Sequence, residues 1–132
     1  MKKTVKQITL ILLSVAIISS ILAVSIVAIF FDPPIPIERT IREVNFAYAC
    51  ALGLVLTQTI LALSIYLNLF KTIRNNRLFS ALSFFLLPML FLLGLLLENL
   101  SLDTTLFFSI IDIPFFTLLL LGFLWFRKIN SQ

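Results

Sequence analysis

The chain has 132 residues, 61% of them apolar and 12% charged, with ten Lys and Arg against six Asp and Glu and a net charge of +4. A soluble domain is nearer half apolar and about a quarter charged. At this length it could not bury so much apolar surface, and a disordered chain would be richer in charge and poorer in aromatics. The composition predicts an all-α integral membrane protein, because in lipid every backbone N–H and C=O must be paired within its own segment.

Residues 7–31 carry no charge and follow Lys2, Lys3 and Lys6. A bilayer core takes about 20 helical residues at about 1.5 Å each, so a first spanning helix is predicted over 8–31. Its basic flank and Ala23-Val24-Ser25 imitate a signal peptide. The run is longer than the usual signal h-region of about 7–15 residues, so it is read as an uncleaved span. Ala16, Ser20 and Ala23 form a strip of small residues along it, as do Ser19 and Ala23, of the kind that lets helix backbones approach closely in lipid.

Asp32-Pro33-Pro34-Ile35-Pro36 ends this helix, since proline lacks the N–H a helix needs and favours extended backbone before it. Beyond it, Ile37, Ile41 and Val44 recur at i, i+4, i+7, with Glu38–Arg42 and Arg39–Glu43 each four apart. The outer loop 32–45 therefore holds either a short amphipathic helix lying at the interface or an upward continuation of the second span.

The second span is predicted over 46–70. Tyr48 lies near its outer end and Gln58 at its centre, where an unpaired amide would be costly; Gln58 is read as a hydrogen-bonding link between helices. Ala49, Gly53 and Thr57 repeat the small-residue spacing, with Ala47 and Ala51 beside them, and the prediction is that helices one and two pack through their small strips. A short basic loop, 71–77, leads to a third span over 78–97 with Pro88 near its middle.

The fourth span, over 105–126, contains Asp112. Fifteen Leu, Ile or Phe residues occupy it, worth together roughly −5 to −9 kcal/mol on the insertion scale. One central Asp costs about +2.5 to +3.5 kcal/mol, so the helix still inserts. Thr105, Ser109 and Asp112 share one face, making a polar strip whose carboxylate must face the bundle or a water-filled cavity. Such a strip could bind a cation, relay a proton or contact a partner; alternatively Asp112 hydrogen-bonds Tyr48, Asn45 or Arg42 and fixes packing. Pro88 and Pro114 are read as helix kinks, and Trp125, beside Arg127 and Lys128, as an interfacial anchor.

Eight of the ten basic residues lie on the N-terminal flank, the 71–77 loop and the C-terminal tail; only Arg39 and Arg42 lie in the other loops. The positive-inside rule then puts both termini in the cytoplasm, and Asp32, Glu38, Glu43, Glu98 and Asp103 gather at the opposite ends. Short connections make neighbours antiparallel. The expected architecture is one domain, 1–132, an up-down four-helix bundle in the cytoplasmic (inner) membrane. The positive charge marks topology; a nucleic-acid partner would need a basic face with stacking aromatics.

No histidine occurs and Cys50 is alone. That excludes an intrachain disulfide, a CxxC redox or zinc site, and Ser-His or Cys-His nucleophiles. All five lysines lie outside the spans, and Gly53, Gly94 and Gly122 are too scattered for a phosphate loop. A non-enzymatic protein with neither metal nor cofactor is expected. The favoured function is accessory, immunity-type or regulatory, exerted by binding another membrane or envelope protein. The alternative is an oligomeric ion- or proton-coupled transporter or channel that uses Asp112.

Overall fold

Four stretches, Lys2–Phe30, Asn45–Leu69, Arg77–Glu98 and Leu102–Asn130, are helical, long enough and apolar enough to cross a bilayer. They are the four segments expected from the hydropathy pattern, the first lengthened at its start and the fourth at both ends, with the other ends within one residue. The computed structural model describes residues 2–30, 41–98 and 101–130, the side chains of 41–44 excepted. Within them the order is α1 (Lys2–Phe30), α2 (Ile41–Leu61), a 3-10 segment (Ala62–Leu69), α3 (Lys71–Asn75), α4 (Arg77–Glu98) and α5 (Leu102–Asn130). At 29 residues each, α1 and α5 are about 44 Å long, beyond the roughly 30 Å of a hydrocarbon core. Their lysine- and arginine-bearing ends continue the helix, because these are good helix formers once a turn exists to extend.

Local chemistry sets the boundaries. Phe70 and Asn76 are extended, at φ −74°, ψ 123° and φ −90°, ψ 120°. They isolate α3, a single turn inside what reads as a loop. The Asn76 side chain then caps α4, its Oδ1 accepting from the backbone N–H of Leu78 at 3.0 Å and of Phe79 at 3.4 Å, which satisfies two donors that have no intrahelical partner. Ser101 plays the same part for α5, accepting from the Thr104 N–H at 3.4 Å. Asp103 in the first turn of α5 and Arg127 and Lys128 in its last complement the helix dipole. α2 begins at Ile41, so the amphipathic stretch from there on belongs to the second span. The Asp32–Pro36 stop and the expected interfacial turn before Ile41 lie outside the described residues.

The second span changes its winding partway. Beyond Leu61 it becomes a 3-10 helix, in which side chains three apart eclipse one another. The residues it buries are Ala62, Ile65 and Asn68, spaced by three. The tighter winding holds all three on one face, where 3.6-residue winding would rotate the third away from α4. α1 packs chiefly on α2 and α5, and the 3-10 segment on α4. The buried stripe of α1 (Thr4, Ile8, Ile11, Val15, Ser19, Ala23 and Val27) recurs every three or four residues, the repeat of one helix face.

α1 and α2 do pack on each other, but through only part of the expected strips: Ser19, Ala23 and Ala51 are fully buried and Ala47 packs against the core. On α1, Ala23 is buried and Ala16 and Ser20 half-buried, but on α2 Ala49 and Gly53 are exposed and Thr57 only half-buried. α2 turns Ala51, Leu54, Val55 and Gln58 inward instead. A side chain on Gly53 would meet nothing within 4 Å, whereas a Cβ on Gly122 would lie 2.6 Å from Ile11 Cγ2. The close backbone approach is therefore made between α1 and α5, at Gly122. Pro88 is buried inside α4 and Pro114 half-buried inside α5, and each helix continues through its proline. Each proline leaves the carbonyl four residues earlier, of Phe84 and of Ile110, without its usual donor.

Candidate functional site

Asp112 stands ten residues after the first residue of α5, about 15 Å along the helix at 1.5 Å per residue. It belongs to the helix's buried face with Ile111, Phe115 and Leu119. A carboxyl group inside an apolar bundle needs a donor, and Gln58 on α2 supplies one: its Nε2 donates to Asp112 Oδ2 at 3.1 Å. Both side chains are closed off, with Gln58 0% and Asp112 1% exposed. The pair is half satisfied. Gln58 Oε1 and Asp112 Oδ1 are buried with no hydrogen-bond partner. Both leftover atoms are acceptors, so the group that would satisfy them is a hydrogen or a small cation.

The rest of the expected polar strip is less enclosed. Thr105 and Ser109 are half-buried on α5, and so is Tyr48 on α2. Of the residues singled out in the sequence, the structure joins Asp112 and Gln58 directly. They are 54 positions apart, and what they share is depth in their respective spans.

A second buried polar group went unread in the sequence. Asn68, Ser80 and Ser83 are buried between the 3-10 segment and α4. Asn68 Nδ2 donates to Ser83 Oγ and, at 3.0 Å, to the Ile65 carbonyl; Ser83 Oγ donates to the Ser80 carbonyl at 2.7 Å. Ser64 Oγ donates across to the Ser83 carbonyl at 2.6 Å. The signal was present as hydroxyl and amide residues three and four apart within apolar runs.

A third set ties one end of the bundle. Arg74 Nη1 donates to Thr4 Oγ1 at 3.2 Å, Arg127 Nη1 to the Arg74 carbonyl at 2.7 Å, and Asn130 Nδ2 to Gln7 Oε1 at 3.3 Å. The start of α1, α3 and the end of α5 thus meet. Arginines legible only as topology markers also act as structural clasps.

Shallow grooves mark the outside. One, between α2 and α5 at the opposite end, is lined by Phe46, Ala47, Cys50, Asp103, Phe107 and Phe108; another lies between α4 and α5 at the clasped end. The fold is that of a helical protein with four helices long and apolar enough to cross a membrane. No protein-family model matches the chain, and comparison with characterised proteins and with solved structures finds no similar chain.

Proposed function

We propose that this chain is a four-span protein of the cytoplasmic (inner) membrane, with both termini and α3 in the cytoplasm, that acts by binding another membrane or envelope protein in an accessory, immunity-type or regulatory role. The orientation is supported by the basic residues gathered at the clasped end, where Arg74 bonds Thr4 of α1 and Arg127 bonds the Arg74 carbonyl, since basic loops are retained in the cytoplasm.

The observation that carries the binding role is the outward face of α2. Glycine inside a helix costs about 0.5–1 kcal/mol relative to alanine, a cost offset in lipid where a second helix packs closely against the small residues. Gly122 has an internal reason, since Ile11 occupies the space a side chain would fill. Gly53 has open space around it and, with exposed Ala49 and half-buried Thr57, puts a strip of small side chains on the bundle's exterior. Thr57 donates its hydroxyl back to the Gly53 carbonyl at 2.8 Å, which satisfies that hydroxyl within its own helix. A helix of a partner is what such a surface accommodates. Asp112 and Gln58 meanwhile bond each other out of reach of the exterior.

Cys50, half-buried on the same helix and the only cysteine, gives a direct test by thiol crosslinking in native membranes. A discrete adduct with a different protein, lost in Gly53→Leu while the chain stays folded, is expected. No adduct, or one indifferent to Gly53→Leu, contradicts the reading. An adduct of twice the chain's own mass would replace it with the oligomeric alternative, which the two unpartnered oxygens of Asp112 and Gln58 favour and in which ion or proton flux must be lost in Asp112→Asn.

A further inference from the structure

α4 and α5 are consecutive, yet at the clasped end they part to leave a groove of about 640 Å³. Its floor and walls are apolar, formed by Leu78, Ala81, Phe123 and Leu124, and its rim carries Arg77, Arg127 and Lys128. The groove has a structural cause. Ala81 is small, and Phe123 is drawn down against Phe84 and Phe85, with ring centroids 5.2 and 5.9 Å apart, so neither helix fills the space between them.

The charge around it is one-sided. No acid lines the groove. Among the described residues, Glu98 and Asp103 belong to the opposite ends of α4 and α5 and Asp112 is turned inward to Gln58. Arg77 is the first residue of α4, where the positive end of the helix dipole disfavours a cation and favours an anion beside it. Arg127 is engaged in the clasp through Nη1, which fixes that guanidinium at the rim.

We propose that this groove is a binding site for an anionic phospholipid, its phosphate held by Arg77 and Lys128 beside Arg127 and an acyl chain laid along Leu78, Ala81, Phe123 and Leu124. A cationic rim over an apolar floor at the level of a helix end matches the two halves of such a lipid. Basic pockets between membrane helices bind anionic headgroups for this reason. A free phosphate would use only the rim. The site rests on the chain lying in a bilayer and is independent of what the face of α2 binds.

The test uses the purified full chain in detergent, with native mass spectrometry reading retained phosphatidylglycerol against phosphatidylcholine of the same acyl chains. Attraction of about 1 kcal/mol per basic residue is about fivefold in affinity at tenfold per 1.4 kcal/mol. Arg77→Gln with Lys128→Gln should therefore lower phosphatidylglycerol retention about 20- to 30-fold, and Arg77→Lys with Lys128→Arg should keep it. Lys3→Gln with Lys71→Gln removes two exposed charges outside the groove and should change retention little. An equal loss in that control means general surface attraction and overturns the site. Inorganic phosphate displacing the lipid at equal concentration overturns it too, since the acyl chain would then contribute nothing. Incorporation into phosphatidylcholine nanodiscs is the separate check on the bilayer: a chain that enters them without preferring phosphatidylglycerol loses the site and keeps the membrane.

Discussion

Asp112 and Gln58 depend on each other in a way that single substitutions expose. Asp112→Leu strands both polar atoms of a buried amide, at a cost of about 1–3 kcal/mol. Gln58→Leu costs more, because the carboxyl group is left inside the bundle without a donor. Replacing both by Leu removes every orphan at once, and most of the loss should be recovered. Asp112→Asn retains an acceptor for Gln58 Nε2 and adds a donor for Gln58 Oε1, which has no partner in the parent, so it should be at least as stable. Thermal unfolding of the four variants in detergent checks this; additive losses in the double variant would mean the two side chains do not act as a pair. The sequence marked both residues as costly in lipid but did not marry them. Depth can be read by counting from a helix end, but the direction a side chain points cannot be read from a run that is apolar on every side.

The same lack of a rotational signal explains the misplaced strip on α2. Small residues at i, i+4 and i+8 say that some helix can approach there, not which one. The two glycines separate the cases. Gly122→Ala forces a Cβ to within 2.6 Å of Ile11 Cγ2, and Ile11, β-branched and stiff, cannot easily yield. Overpacking of this kind costs about 1–3 kcal/mol, more than the 0.5–1 kcal/mol or so that alanine adds to helix propensity. Gly53→Ala meets open space and should leave the isolated chain equally or more stable. Melting temperatures of the two variants in the same detergent should therefore move in opposite directions; a fall for both would mean Gly53 is also packed within the chain. Among the elements, span lengths were legible because bilayer thickness sets them. The 3-10 winding over Ala62–Leu69 was not, since it arises from keeping Ala62, Ile65 and Asn68 on α4, a tertiary demand. Nor was α3, one turn held between two extended residues.

For the whole molecule, the up-down order and the gathering of basic residues at one end were readable from charge alone, because unpaired charges are excluded from the spans. What charge did not reveal is that this end is knitted together: Thr4, Arg74, Arg127 and Asn130 link the first helix, the short α3 and the last helix. A chain clasped in this way must present its N-terminal region, α3 and C-terminal region on one side of any membrane it crosses. Single cysteines placed in a Cys50→Ala background by Lys3→Cys, Asn75→Cys and Asp103→Cys, probed with a membrane-impermeant thiol reagent on intact cells, measure this directly. The account predicts labelling at 103 in intact cells and at 3 and 75 only after permeabilisation. Labelling of 3 and 75 from opposite sides, or of all three without permeabilisation, would contradict four crossings with the basic end inside.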